Sequence, residues 1–436
     1  MTKPLFRALR GDRHRTASYD AGSRSRFVTY QISATFRSMS QSSVSVVADL
    51  DVQVICNRYW SYAYAGTRRS LVRSIAVTAT TQQAGVVTTV YPRVRCETPL
   101  SETLVEPWSA DKPLQVHADG ARFGVPVEWT DIDLKVNYPL LGRLEEKAPI
   151  NVVVDIVDAA TDDVLATVTR KVELLGRQDW LWDSAQRADM LAAFVNPRSK
   201  AVRSILKRAR NLLMERTGES STEGYQAGSE RVRSIAEAIY DAVCECGIDY
   251  SNPPAGFENN MQRIRTPDEV VTDKAGTCLD TTVLLASCFA EAGLEPVLFL
   301  VPRHAFAGYF SGREIPGPQG IIHSDDAVDR HVKSADHHAL SGSDHALELS
   351  FLLSGGHVQP VETTTVCRGL GQDFNRSITE QNNWKYGDVA AVEAMLIVSR
   401  CWQAGITPPI RLAAVDESAA GHPEAPSAFE DRVFDP

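Results

Sequence analysis

No stretch of this chain is apolar for long enough to cross a membrane. A spanning helix needs roughly 18 to 20 consecutive apolar residues, and runs such as VLFLV at 297–301 stop far short of that. The first residues lack the apolar centre of a secretory signal. They carry Arg7, Arg10, Arg13, Arg15, Arg24 and Arg26 instead, and Asp12 and Asp20 among them speak against a transit peptide. Residues 1–26 therefore read as a disordered basic leader. No C-x-x-C pair occurs, which argues against a zinc ribbon. The eight cysteines are scattered, and Cys244 and Cys246 are too close to bridge each other. A chain of 436 residues has no need of disulfide staples, so the thiols read as reduced and the compartment as cytoplasmic. A G-x-x-x-x-G-K-[ST] phosphate loop is also missing. Basic residues are in deficit: 45 Lys and Arg stand against 55 Asp and Glu, a net charge of -10. That balance argues against a dedicated nucleic-acid binder, and no direct nucleic-acid binding is expected. Lys200, Arg203, Lys207, Arg208, Arg210 and Arg216 form one local basic run, which reads as a solvated helix face.

What is present begins as β structure. The length suits two to three domains. In FVTYQISATF, apolar residues recur at Val28, Tyr30, Ile32, Ala34 and Phe36; in ADLDVQVI they recur at Leu50, Val52 and Val54. EWTDIDLKV continues the alternation with one slip in register. INVVVDIVDAATDDVLATVTRKVEL reads as a hairpin turning near Thr161, Asp162 and Asp163. Period-two strands separated by polar turns predict an antiparallel β-sandwich over 27–176, with no grouping of nucleophile and base.

The period changes after Trp180 and Trp182. RADMLAAFVNP reads as a helix halted by Pro197. SKAVRSILKRARNLLMERTG places Val202, Ile205, Leu206, Ala209, Leu212 and Leu213 on one face, with Gly218 as C-cap. ERVRSIAEAIYDAV repeats the pattern. Residues 311–345 hold prolines, glycines and five of the ten histidines, and read as a long inserted surface loop, either a lid or a disordered insertion with no role. ALELSFLLS and HVQPVETTTV read as strands, VAAVEAMLIVSRCWQAG as the last helix, and 413–436 as a disordered acidic tail or linker.

The chemistry gathers at GTCLDTTVLLASCFAEAGL. Gly276 or Thr277 takes the N-cap, and Cys278 falls in the first helical turn. There the helix dipole and unpaired N–H groups favour thiolate, the nucleophilic form, and offer donors for an oxyanion. The apolar run 297–301 delivers His304, which can pair with that thiolate and protonate a leaving amine. Glu362, a lone acid in PVETT, is the best group to orient the imidazole, since an acid in a β-like run is exposed or paired. The bland alternative is a small core cysteine and an unrelated polar histidine, as Cys288 illustrates within the same helix.

The order G-x-C-x-D opening a helix, a helix ending in AGL, a strand, then H-A-aromatic resembles the transglutaminase-like superfamily of papain-type cysteine enzymes. PVETT resembles the strand bearing that superfamily's third catalytic residue, there more often Asp. LAAFVNP, GYQ, IDYSNPPAGFENNMQRIRTPDEV, GTCLDT and RHAFAGYF resemble the N-terminal region of large bacterial superfamily-one helicase and nuclease proteins. In that pattern Gly often precedes the histidine, where this chain has Arg303. The resemblance spans 27–412 and is most specific over 249–310. It implies an α+β fold with a transglutaminase-like domain at 177–412, and Cys278, His304 and Glu362 as nucleophile, base and orienting group. It implies Gln262 at the oxyanion and Asp280 as a supporting or cap residue. No cofactor and no metal are called for. The partners it implies are a protein or peptide substrate and a helicase or nuclease, in a DNA-linked or anti-phage defence setting. The chain is then a free-standing relative or the first piece of a longer protein. Two other readings stay open: a catalytically inert docking module, and metal binding by His323, Asp325, Asp326, His331, His337, His338 and His345, whose spacing follows no recognised ligand pattern.

Overall fold

The computed structural model describes residues 49–408 except 66, 68–69, 131, 183–187, 253–260, 313, 318–319, 324–338 and 380–387. The basic leader, the FVTYQISATF strand, the histidine-rich stretch 324–338 and the acidic tail lie outside the described residues. What is described is a mixed α+β structure with several sheets.

The first part is built from strands β1 (Leu50–Cys56), β2 (Tyr59–Trp60), β3 (Val72–Ala79), β4 (Val87–Glu97), β5 (Trp108–Ser109), β6 (Leu114–His117), β7 (Val127–Trp129), β8 (Ala148–Asp158) and β9 (Val164–Leu174). One sheet has the order β1-β3-β7; a larger one runs β2-β9-β8-β4-β5, with β6 also on β4. Alternation explains the register. Thr88, Val90, Pro92 and Val94 of β4 point inward, while the residues between them are partly or fully exposed. The β8–β9 hairpin turns where expected: Asp158 accepts the N–H groups of Ala160 and Thr161 at 2.7 and 3.1 Å, and Asp162 takes a positive φ of 63°, a conformation Asp tolerates. EWTDIDLKV forms less strand than its pattern suggests. Only β7 and a lone bridge between Val105 and Val136 pair, while Ile132 and Leu134 are buried without a ladder.

A short strand β10 (Asp179–Leu181) leads into the second part. Of RADMLAAFVNP, Arg187 lies outside the described residues, Ala188 is α-helical, and Asp189–Phe194 is 3-10, with Asp189–Ala193 buried. Short 3-10 pieces of this kind serve as connectors between elements. Helix α1 (Lys200–Thr217) starts at Ser199, whose hydroxyl accepts the Val202 N–H, and ends at Gly218 with φ 76°. Helix α2 (Ser229–Cys244) packs on it. Then come β11 (Asp249–Tyr250), β12 (Met261–Arg263), helix α3 (Pro267–Asp273), β13 (Ala275–Gly276) and helix α4 (Cys278–Glu291). Helix α4 is central: Cys278–Phe289 are all buried, and it touches α1, α2 and α3.

Against α4 lies an antiparallel sheet. Its strands are β14 (Pro296–Val301), β15 (His304–Phe310), β18 (Ala339–Leu340), β19 (Val358–Val361) and β20 (Ala394–Ile397), in the order β18-β20-β14-β15-β19. Strand parity splits the core. Leu298, Leu300, Ala305, Ala307 and Tyr309 join the main cluster with α4. Val297, Phe299, Val301, Phe306 and Phe310 form a second cluster.

Three sequence readings are corrected here. ALELSFLLS is helix α5 (Ala346–Ser354), not a strand; Leu349, Leu352 and Leu353 follow helical spacing into the second cluster, and Leu347 is 85% exposed. VAAVEAMLIVSRCWQAG is not one helix. AMLI is β20, buried on both faces beside β14, and only Val398–Gln403 (α6) is helical; a short apolar run fits either state until its neighbours are placed. Finally, 311–345 is not a continuous loop. Glu314–Gly317 (β16) pairs with Gly320–His323 (β17) as a hairpin, and β18 joins the sheet.

Candidate active site

Helix α4 begins where a capping box locks it. The Thr277 hydroxyl accepts the Asp280 N–H at 3.3 Å and the Asp280 carboxylate accepts the Thr277 N–H at 2.9 Å. Asp280 is fully buried, and it also accepts the Arg265 N–H at 2.8 Å and the Arg265 guanidinium at 2.9 Å. Asp280 thus belongs to the architecture of the helix start. Cys278 is the first residue of the helix. Its N–H and that of Leu279 precede the helical ladder, while the next two are taken by the cap and by Thr277 O.

His304 opens β15. Val301 pairs with His304 across a two-residue turn, and Arg303 in that turn has φ 62°. This left-handed position is one that glycine takes most readily, and here it holds an arginine. Strand β19 lies beside β15, with Val361 opposite Ala307, so Glu362 emerges at the strand end next to His304. Glu362 caps the 3-10 turn Thr363–Val366 rather than lying within a strand.

The three side chains meet. His304 Nε2 is 2.8 Å from Glu362 Oε2, and the Cys278 thiol stands near enough to the ring to help raise its pKa. Glu362 is 1% exposed; its other oxygen accepts the Thr364 N–H at 3.0 Å and the Thr364 hydroxyl at 2.6 Å. A threonine cluster ties the two sides: the Thr282 hydroxyl donates to Cys278 O at 2.6 Å and lies 3.0 Å from the Thr363 hydroxyl. The carboxylate cannot swing without breaking these bonds. Burial acts to lower the His304 pKa, but hydrogen bonds to Cys278 and Glu362 and their charges outweigh it, raising the ring from 6.5 to about 9.

Gln262 sits on β12, opposite Trp180 of β10. Its amide lies 3.3 Å from the Thr277 hydroxyl and is buried, so it stands at the helix start beside Cys278. Sequence reasoning missed Tyr250. Strand β11 pairs parallel with β13 so that Tyr250 faces Gly276, two residues before Cys278. Burial pushes its phenol up to about 12, with Cys278, Cys367 and Glu362 adding to the rise, so it remains a proton donor at neutral pH. The signal was the alternation in GIDYS after the Gly247 stop. Among the described residues no group of three or more His, Cys, Asp or Glu is arranged to hold a metal ion, and no helix is long and apolar enough to cross a membrane. His323 and His345 are separated by residues outside the described set.

Compared with family models, curated proteins and solved structures, the chain matches none.

Proposed function

We propose that this protein is a transglutaminase-like cysteine hydrolase or acyltransferase acting on amide bonds in protein, with a β-sandwich at 49–176 as scaffold. The observation that carries the reading is the buried chain of Cys278, His304 and Glu362, with the imidazole held between thiol and carboxylate. In the first step the Cys278 proton resides on His304. The thiolate sulfur bonds to the amide carbon, and the carbonyl oxygen becomes an oxyanion beside the first-turn N–H groups, Gln262 and Tyr250. His304 then returns the proton to the leaving nitrogen as the C–N bond breaks. In the second step water or an amine gives its proton to His304, bonds to the thioester carbon, and expels the sulfur. Hydrolysis, deamidation and transamidation share the first step and differ in who attacks second.

A second reading is a docking module that keeps the fold without turnover. It is favoured by the small exposure of Cys278 and His304, 9% and 8%. One experiment separates them. The protein is treated with a glutamine-peptide analogue bearing a thiol-reactive group at the amide position, and the adduct is mapped by mass spectrometry. The enzyme reading expects a single adduct on Cys278, lost in Cys278→Ser and slowed at least about tenfold in His304→Ala. Equal labelling of wild type and His304→Ala sinks it.

A further inference from the structure

The basic run on α1 reads from sequence as a solvated helix face on a chain not expected to bind nucleic acid; the structure sorts it into two faces and points elsewhere. Arg208 and Arg216 are paired: Arg208 lies 2.7 Å from Glu245 and 3.4 Å from Glu215, and Arg216 lies against Asp241. Lys200, Arg203, Lys207 and Arg210 are all exposed, and among the described residues none of them forms an ion pair. Their spacing of three, four and three residues puts them on one stripe, about 15 Å long at the helical rise. Arg198 is exposed just ahead of it. No acidic residue stands in the first turn, and the first exposed acid on the helix is Glu215 in its last turn.

This arrangement works against the helix. Cations in the first turn oppose the macrodipole, and like charges at i, i+3 and i, i+4 repel. Elsewhere on this acidic chain arginines sit on carboxylates, as in Arg143–Glu102, Arg177–Glu145 and Arg265–Asp280. A stripe that keeps four unneutralised cations at a cost to its own helix suits an external polyanion.

The chemistry of the stripe selects among polyanions. No apolar side chain interrupts it before Met214, which is 51% exposed, whereas the centres of protein interfaces are depleted of charge and rich in apolar and aromatic groups. A helix lying in a bilayer needs an apolar face to bury, and that face of α1, including Val202, Ile205, Leu206 and Leu213, is already in the core. We infer that the α1 stripe is a docking surface for the phosphodiester backbone of a nucleic acid, bound without reading sequence. The four cations neutralise successive phosphates; the helix start itself is already occupied, by the Ser199 hydroxyl and by Asp268, which accepts the Ala201 N–H at 2.7 Å. The inference stands apart from the acyl-transfer reading, because α1 contributes no atom to the Cys278 site.

The test uses the full chain, fluorescently labelled oligonucleotides of mixed sequence, single-stranded and duplex, DNA and RNA, and salt from about 50 to 200 mM. Four phosphate contacts give a slope of log K against log salt of about -3 for single strands and nearer -4 for duplex. Replacing all four cations by glutamine (Lys200→Gln, Arg203→Gln, Lys207→Gln, Arg210→Gln) should weaken binding at least about tenfold at low salt and flatten the slope, with equal loss across sequences. Glutamine is a good helix former, so the variant should keep its circular dichroism and its Cys278 labelling. No binding at the lowest salt, or binding unchanged in the fourfold variant, overturns the inference. So does binding to vesicles of anionic lipid with none to oligonucleotide.

Discussion

At His304 burial and two partners pull in opposite directions, and the partners win. The folded pKa of about 9 lies above the ordinary 6.5. The stabilisation tied to the charged ring is therefore fully present below about pH 6.5 and is lost as pH rises through about 9. Glu362→Gln keeps the shape but removes the charge, leaving burial less opposed. Histidine-selective NMR should show this ring titrating at least about one unit lower in that variant; an unmoved titration would mean the carboxylate only packs. Burial pushes Cys56, Cys244 and Cys367 up to about 12 and Cys96 and Cys246 up to about 11, and Cys288 rises well above its ordinary value. Cys278 opens a helix beside His304, so limiting iodoacetamide should modify it first at neutral pH. Peptide mapping checks this, and Cys367 or Cys401 labelling ahead of it would refute it. Tyr250→Phe removes one phenolic donor and little volume. It should lower kcat about tenfold or more with KM nearly unchanged if the phenol serves the oxyanion.

Two elements deliver the site, and each hangs on one residue. Helix α4 starts at Cys278 because Thr277 and Asp280 cap each other and Arg265 pays the charge of the buried carboxylate. Asp280→Ala orphans the Thr277 and Arg265 N–H groups. It should cost about 3 kcal/mol or more, read as a lower denaturant midpoint with unchanged slope. It should also slow Cys278 labelling, since the first turn frays. The β14–β15 turn hangs on Arg303 at φ 62°. Arg303→Gly should be neutral or stabilising by up to about 1 kcal/mol, and Arg303→Val destabilising by at least as much, because a β-branched residue is poorly tolerated there. Thermal melts of the pair decide it; equal melting would mean the turn relaxes freely.

For the whole molecule the main apolar cluster matters most. It runs from Val54 in the first part to Ile406 in the second and includes Cys278 itself. Unfolding should accordingly be one event: near-ultraviolet circular dichroism and Cys278 labelling should change at the same denaturant midpoint. Two separated midpoints would show that the first part folds on its own. Every named side chain of the candidate site comes from 250–362, and among the described residues the first part is joined to it through this shared core.

Local physics was legible in the chain. Thr277 and Asp280 around Cys278 announce a helix start, Gly218 and Gly293 announce helix ends, and the alternation in 148–174 announces a hairpin, because each depends on neighbours within a few residues. Short apolar runs were not legible. ALELSFLLS became a helix and AMLI a central strand, since length and hydrophobicity permit both and only the neighbouring β14 and the second core cluster select one. The site was half legible. Residue types and order singled out Cys278, His304 and Glu362, but their meeting depends on pairings across 58 residues of chain between His304 and Glu362. Tyr250 comes to lie opposite Gly276 only through the parallel pairing of β11 with β13. Sequence singled out Cys278, His304 and Glu362 and determined which way each local segment turns. Strand order and the shared core decided which of those groups stand within a hydrogen bond of one another, because such pairings are set by burying whole faces together and no single segment encodes them.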